Sequence, residues 1–146
     1  MKTVAEVIRS KAHTSVYSVD SEDSLRDGLR ILAEKGIGAL VVLSGGRLVG
    51  IVSERDYVRK VALADPSMLD AKISEIMTRE VISVGPRDNL QYCMELMTER
   101  RLRHLPVLAE GELIGLLSIG DLVKETIAEQ ADLIRQLEQY IRGEIP

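Results

Sequence analysis

Two seven-residue stretches hold the side chains best suited to chemistry: Gly50-Ile51-Val52-Ser53-Glu54-Arg55-Asp56 and Gly115-Leu116-Leu117-Ser118-Ile119-Gly120-Asp121. Each sets a hydroxyl three residues ahead of a carboxylate, directly after a short apolar run. If a helix opens at the serine, the same geometry has two uses. One is local: the serine accepts from the amide three residues on and the aspartate reaches back, which is a capping box. The other is binding. A helix N-terminus offers unpaired amides and the positive end of its dipole, which suit a phosphate. A carboxylate one turn in can accept from both hydroxyls of a ribose, as acids in dinucleotide folds do. The two uses are compatible, because the serine can cap while the aspartate faces a cleft.

The elements that must position these residues also come in two copies. Shifting the chain by 65 positions lays residues 16–60 on 81–125 without a gap, with 15 of 45 positions identical. The matches include Gly46/Gly111, Gly50/Gly115, Ser53/Ser118 and Asp56/Asp121, and matched turn glycines are not a product of composition. Repeat one reads as an extended start at Val16–Val19 and a helix from Ser24 to Lys35 stopped by Gly36. A buried strand follows at Ile37–Leu43, then a turn at Ser44-Gly45-Gly46 and a return strand at Leu48–Val52. Ser53 opens a second helix to about Leu63. Repeat two predicts an extended start at Val81–Val84, a helix Asn89–Arg100, strands His104–Leu108 and Leu113–Leu117 around Glu110-Gly111, and a helix from Ser118. Pro106 suggests a strand start or an edge. The resulting organisation is residues 1–64 as repeat one with a short helix at Thr3–Ser10, 65–72 as linker, 73–124 as repeat two beginning with a short helix at Ile73–Met77, and 125–146 as a C-terminal helical extension. One small sheet with helices on one face cannot bury both surfaces, so the expected fold is α/β with α+β character: tandem βαββα units packed sheet to sheet about a pseudo-twofold axis as one folding unit.

Bulk composition narrows the function. Hydrophobic residues are 45% of the 146, with no Trp or Phe and four Tyr, so the core is aliphatic. A net charge of −4 from mixed charges and no basic stripe argue against a nucleic-acid surface. No apolar run approaches the ~18 residues of a membrane span, and the charged start is no signal peptide, so the expected compartment is the cytoplasm. The lone Cys93 fits a buried small hydrophobe in a reducing compartment. Two isolated histidines and one cysteine do not make a zinc site. No nucleophile–base pair or Walker loop is evident, and the expectation is no catalysis, no catalytic cofactor and no metal. His13 reads as a surface residue.

The duplicated strand–Gly-x-x-Ser-x-x-Asp–helix unit, with Arg103-His104-Leu105-Pro106-Val107 in a matching strand, resembles the cystathionine-β-synthase (CBS) domain pair, or Bateman module, from about Val4 to Lys124. The resemblance implies regulatory clefts for AMP, ADP, ATP, NAD or S-adenosylmethionine, each cleft mixing the repeats, and homodimers that form a disc of four repeats. Carried onto this chain, one cleft holds Ser53, Arg55 and Asp56 with Thr78, Val81, Ile82, Leu102, Arg103 and His104. The other holds Ser118, Ile119 and Asp121 with Lys11, Val16, Tyr17, Ile37 and Gly38. Apolar residues would sandwich the adenine. The clefts differ: Arg103 and His104 replace Gly38 and Ala39, and Arg55 matches Gly120. Two guanidiniums can clamp a phosphate by bidentate bonds, so the first cleft is expected to bind a phosphorylated adenosine more tightly. Read from its local residues, His104 is equally a structural histidine at a strand start.

From Asp121 to Arg142 the chain can form one helix. Val123, Ile127, Gln130, Ile134, Leu137 and Ile141 step by 4, 3, 4, 3 and 4, a heptad seam with one polar position. The seam either packs on the module's own surface or meets a second chain, and the shorter closing helix of repeat one favours the second. Two functions compete: a sensor of adenine nucleotides, and a structural dimerisation module with degenerate clefts.

Overall fold

The structure is a computed structural model, and it describes residues 2–11 and 16–143; His13 lies outside these. The chain divides into two compact units. Unit 1 comprises residues 1–14, 84–108 and 115–146; unit 2 comprises 15–83 and 109–114. The grouping departs from the repeat boundaries: the N-terminal helix belongs with repeat two, and the connecting segment with repeat one.

In unit 2, β1 (Ser18–Asp20) pairs in parallel with β2 (Ala39–Ser44), which pairs antiparallel with β3 (Arg47–Ser53). Between β1 and β2 runs α2 (Leu25–Lys35), capped by the Ser24 hydroxyl and stopped by Gly36 at φ 62°. Glycine adopts that left-handed conformation without a Cβ penalty. After β3 comes α3 (Glu54–Asp56), which continues as a π-helical turn, Tyr57–Ala62, where the sequence suggests a plain α-helix. The Leu63 amide bonds five residues back to Val58, and Tyr57 and Val61 both stay buried. The connecting segment is structured too: Asp65 caps a 3₁₀ turn, Pro66–Asp70, with proline at its start. A second 3₁₀ turn, Ile73–Glu75, is shorter than the expected helix to Met77. The core of unit 2 gathers Leu25, Leu32, Leu40, Val42, Val52, Tyr57, Ile73 and Ile76.

Unit 1 holds α1 (Val4–Ser10), α4 (Leu90–Arg100), β4 (His104–Ala109) paired with β5 (Glu112–Ser118), and α5 (Ile119–Ile141), the tip of the hairpin being grouped with unit 2. The expected extended start at Val81–Val84 is reduced to a single bridge, Val84 to Val107. The cause is a pair of prolines, Pro106 and Pro86. In unit 2 the Val41 amide donates to the Tyr17 carbonyl at 3.4 Å and the Ser21 amide to the Leu43 carbonyl at 2.9 Å; Pro106 and Pro86 stand at the matching positions and have no N–H to give. The two bonds between those positions survive, Val84 N–H to Pro106 and Leu108 N–H to Val84. Helix α1 is tied to this unit by backbone bonds from Val4 to Asp88 and from Ala5 to Pro86. Cys93 is fully buried, and burial pushes its thiol up to about 11.

Candidate functional site

Both motifs fold as serine–aspartate corners. In unit 2, β3 ends at Ser53, whose extended backbone turns the chain into α3. The Asp56 amide donates to Ser53 Oγ at 3.3 Å, and the Ser53 amide donates to Asp56 Oδ2 at 2.8 Å. The capping box is therefore closed from both sides. The same carboxylate keeps a polar face: Asp56 Oδ1 lies 3.4 Å from Lys60 Nζ, and its side chain is 18% exposed. Lys60 also donates to the Ile76 carbonyl at 2.8 Å. Two backbone segments frame the corner. The Glu54 amide donates to the Gly38 carbonyl, and Thr78 exchanges two backbone bonds with Ile51. Gly50 makes room for that second segment: a Cβ there would sit 2.6 Å from Met77 Sδ and 3.0 Å from the Thr78 carbonyl.

Unit 1 repeats the corner. The Asp121 amide donates to Ser118 Oγ at 3.1 Å, and the Ser118 amide donates to Asp121 Oδ2 at 2.8 Å. The cation here comes from the N-terminal segment. Lys11 Nζ lies 2.9 Å from Asp121 Oδ2 and donates to the Leu116 carbonyl at 2.8 Å. Burial pushes the Asp121 carboxyl up, but the Ser118 amide and the Lys11 ammonium outweigh it and hold it below the ordinary carboxylate value. The Arg103 carbonyl accepts from the Ile119 amide at 2.8 Å. Burial lowers His104; the Asp121 charge opposes that shift, while Lys11 and Arg103 add to it. Gly115 plays the part of Gly50: a Cβ on it would stand 2.8 Å from Ile8 Cδ1.

The expected site residues divide between the units. Ser53, Arg55, Asp56, Thr78, Val81 and Ile82 belong to unit 2, as do Val16, Tyr17, Ile37 and Gly38. Lys11, Leu102, Arg103, His104, Ser118, Ile119 and Asp121 belong to unit 1. Arg55, Arg103 and Ile119 are exposed; Val16, Tyr17, Ile37, Val81, Ile82 and Leu102 are half-buried. Lys60 is the residue that sequence reading passed over. Its signal is the four-residue step from Asp56, which puts an ammonium over the carboxylate on one helix face. Among the described residues no group of His, Cys, Asp or Glu could hold a metal ion, and no helix is long and apolar enough to cross a membrane.

The chain as a whole matches known proteins. The family model for the CBS domain matches twice, at residues 4–63 and 73–128. CBSX3, a mitochondrial CBS domain-containing protein of Arabidopsis thaliana, is 35% identical over 97% of this chain and 72% of its own length. A solved protein with CBS domains from Burkholderia ambifaria MC40-6 is 50% identical, with a TM-score of 0.84 over 88% of this chain and 96% of that one. The CBS domain pair of protein MJ0100, solved with 5-methylthioadenosine and S-adenosyl-L-methionine, shares the fold at 24% identity and a TM-score of 0.76, over 88% of this chain and 98% of that one. Two family matches on one gapless repeat, each ending in its own serine–aspartate corner, make this chain a member of the CBS-domain family, in the form of a tandem pair.

Proposed function

We propose that the chain is a regulatory, non-catalytic module that binds an adenosine-containing ligand, with Asp56 and Asp121 as ribose anchors and a second copy of itself as a partner. One observation carries this reading. Each aspartate satisfies its own helix cap and still keeps part of its side chain open to solvent, 18% for Asp56 and 23% for Asp121. A buried capping carboxylate would have none to offer a diol. Around the unit 2 corner, the Gly38 and Thr78 backbone supplies polar edges, and the exposed Arg55 offers a guanidinium to phosphate. A ligand hydroxyl must compete with a lysine at both corners, but Lys11 holds Asp121 at 2.9 Å while Lys60 stands 3.4 Å from Asp56, so the Asp56 corner is the tighter one.

The fold of the MJ0100 pair supports an adenosine compound as the ligand class. Thermal unfolding with AMP, ADP, ATP, NAD and S-adenosylmethionine tests it. A ligand at ~100 times its dissociation constant stabilises the folded state by about 2.7 kcal/mol. Asp56→Ala or Arg55→Ala is expected to weaken AMP binding in calorimetry more than Asp121→Ala does. The absence of any shift at millimolar concentration of all five compounds would leave a structural module with degenerate corners.

A further inference from the structure

The seam of α5 faces solvent along its whole length. Val123, Ile127, Ile134, Leu137 and Ile141 are 45, 62, 55, 53 and 81% exposed, while Leu122 and Glu125 on the opposite face are buried. That buried face is what ties α5 to α1: Glu125 accepts from Lys2 Nζ and Ser10 Oγ. From Ala131 to Gly143 every residue except Gln139 is exposed. A helical end this short, without tertiary support, is marginal in water. The seam is therefore not packed on the module's own described surface.

We infer that α5 pairs antiparallel with α5 of a second copy, centred near Asp132. This rests on the second copy proposed above, not on the nucleotide. The spacing is self-complementary in that direction. Ile127 then meets Leu137, Val123 meets Ile141, and Gln130 meets Ile134, so every layer has an aliphatic member. Charge selects the same orientation. Residues flanking a seam decide which way two helices run, and here Lys124 faces Glu138 of the second copy, twice by symmetry. Leu133 lies beside the axis and meets its own copy. A parallel pair would set Gln130 against Gln130 and flank the seam with Thr126 against Ala131 and Leu133 against Glu138, with no ion pair in either.

Single-cysteine variants test the arrangement. In an antiparallel pair the two copies of residue 123 are about 27 Å apart, from the 1.5 Å rise per residue, far beyond disulfide reach. Val123→Cys and Ile141→Cys proteins are each expected to stay uncrosslinked on mild oxidation and to form a disulfide dimer only when mixed; the buried Cys93 takes no part. By sedimentation, Glu138→Lys is expected to weaken the dimer roughly three- to tenfold, and adding Lys124→Glu to restore it. A wild-type chain that sediments as a monomer at every concentration removes the second copy altogether, and this inference with it. A dimer that crosslinks from either variant alone, gives no disulfide in the mixture, or is not restored by the double exchange overturns the antiparallel pairing while leaving the ligand reading intact.

Discussion

Asp56 and Asp121 share one cap and differ in the cation that reaches them. Lys60 comes from the next turn of the same helix, whereas Lys11 comes from the far end of the chain. The matching position to Lys60 is Glu125, which instead accepts from Lys2 and Ser10. The second repeat has thus inverted the charge on its helix and recruited its ammonium from the N-terminal segment. Beside it, His104 carries a pH signature. Its pKa is lowered in the fold, first by burial. The unfolded chain therefore takes up that proton first as pH falls from about 7, and stability declines with a slope of at most about 1.4 kcal/mol per pH unit until the folded His104 is itself protonated. His104→Gln is expected to flatten the decline between about pH 7 and 5 in chemical-denaturation midpoints. An unchanged slope would place the titration elsewhere.

At the scale of elements, the motif glycines are as constrained as the serines and aspartates. Gly50 and Gly115 sit where a crossing segment presses on the strand, Met77 and Thr78 on one and Ile8 on the other. Gly50→Ala drives a methyl into a backbone carbonyl that cannot yield as a flexible side chain would, and is expected to cost about 1–3 kcal/mol in unfolding free energy. The helices, hairpins and caps were legible because their signals are local: Ser24 and Gly36 bracket α2, and Ser53 and Ser118 open helices where the spacing requires. The parallel start of repeat two was not legible as a lone bridge, although the reason is only two residues, Pro106 and Pro86. Pro106 reads as a strand start in isolation; only its opposite neighbour shows which bond it withholds. The π-helical turn at Tyr57–Ala62 left no mark on the apolar periodicity, since Tyr57 and Val61 are inward at either helical pitch.

At the scale of the molecule, the repeat disclosed two like halves but not which short segment serves which half. Sequence adjacency assigns Thr3–Ser10 to repeat one, and backbone bonding assigns it to repeat two. Three bonds decide it: Val4 to Asp88, Ala5 to Pro86, and Leu90 to Lys2. Side-chain contacts agree: Ile8 lies against Gly115, and Ser10 Oγ donates to Glu125. Such a pairing leaves no local trace, because its partners are far apart in the chain and their side chains are ordinary aliphatics.

That assignment makes the N-terminal helix a remote splint. Deleting it should speed amide deuterium uptake at Leu90 and Cys93 while the protected amides of β2 and β3, far nearer in sequence to the cut, keep their slow exchange. Damage that skips the neighbouring repeat and surfaces in the distant one is what a swapped brace produces, and uptake confined to residues 18–53 would assign the splint to the other half.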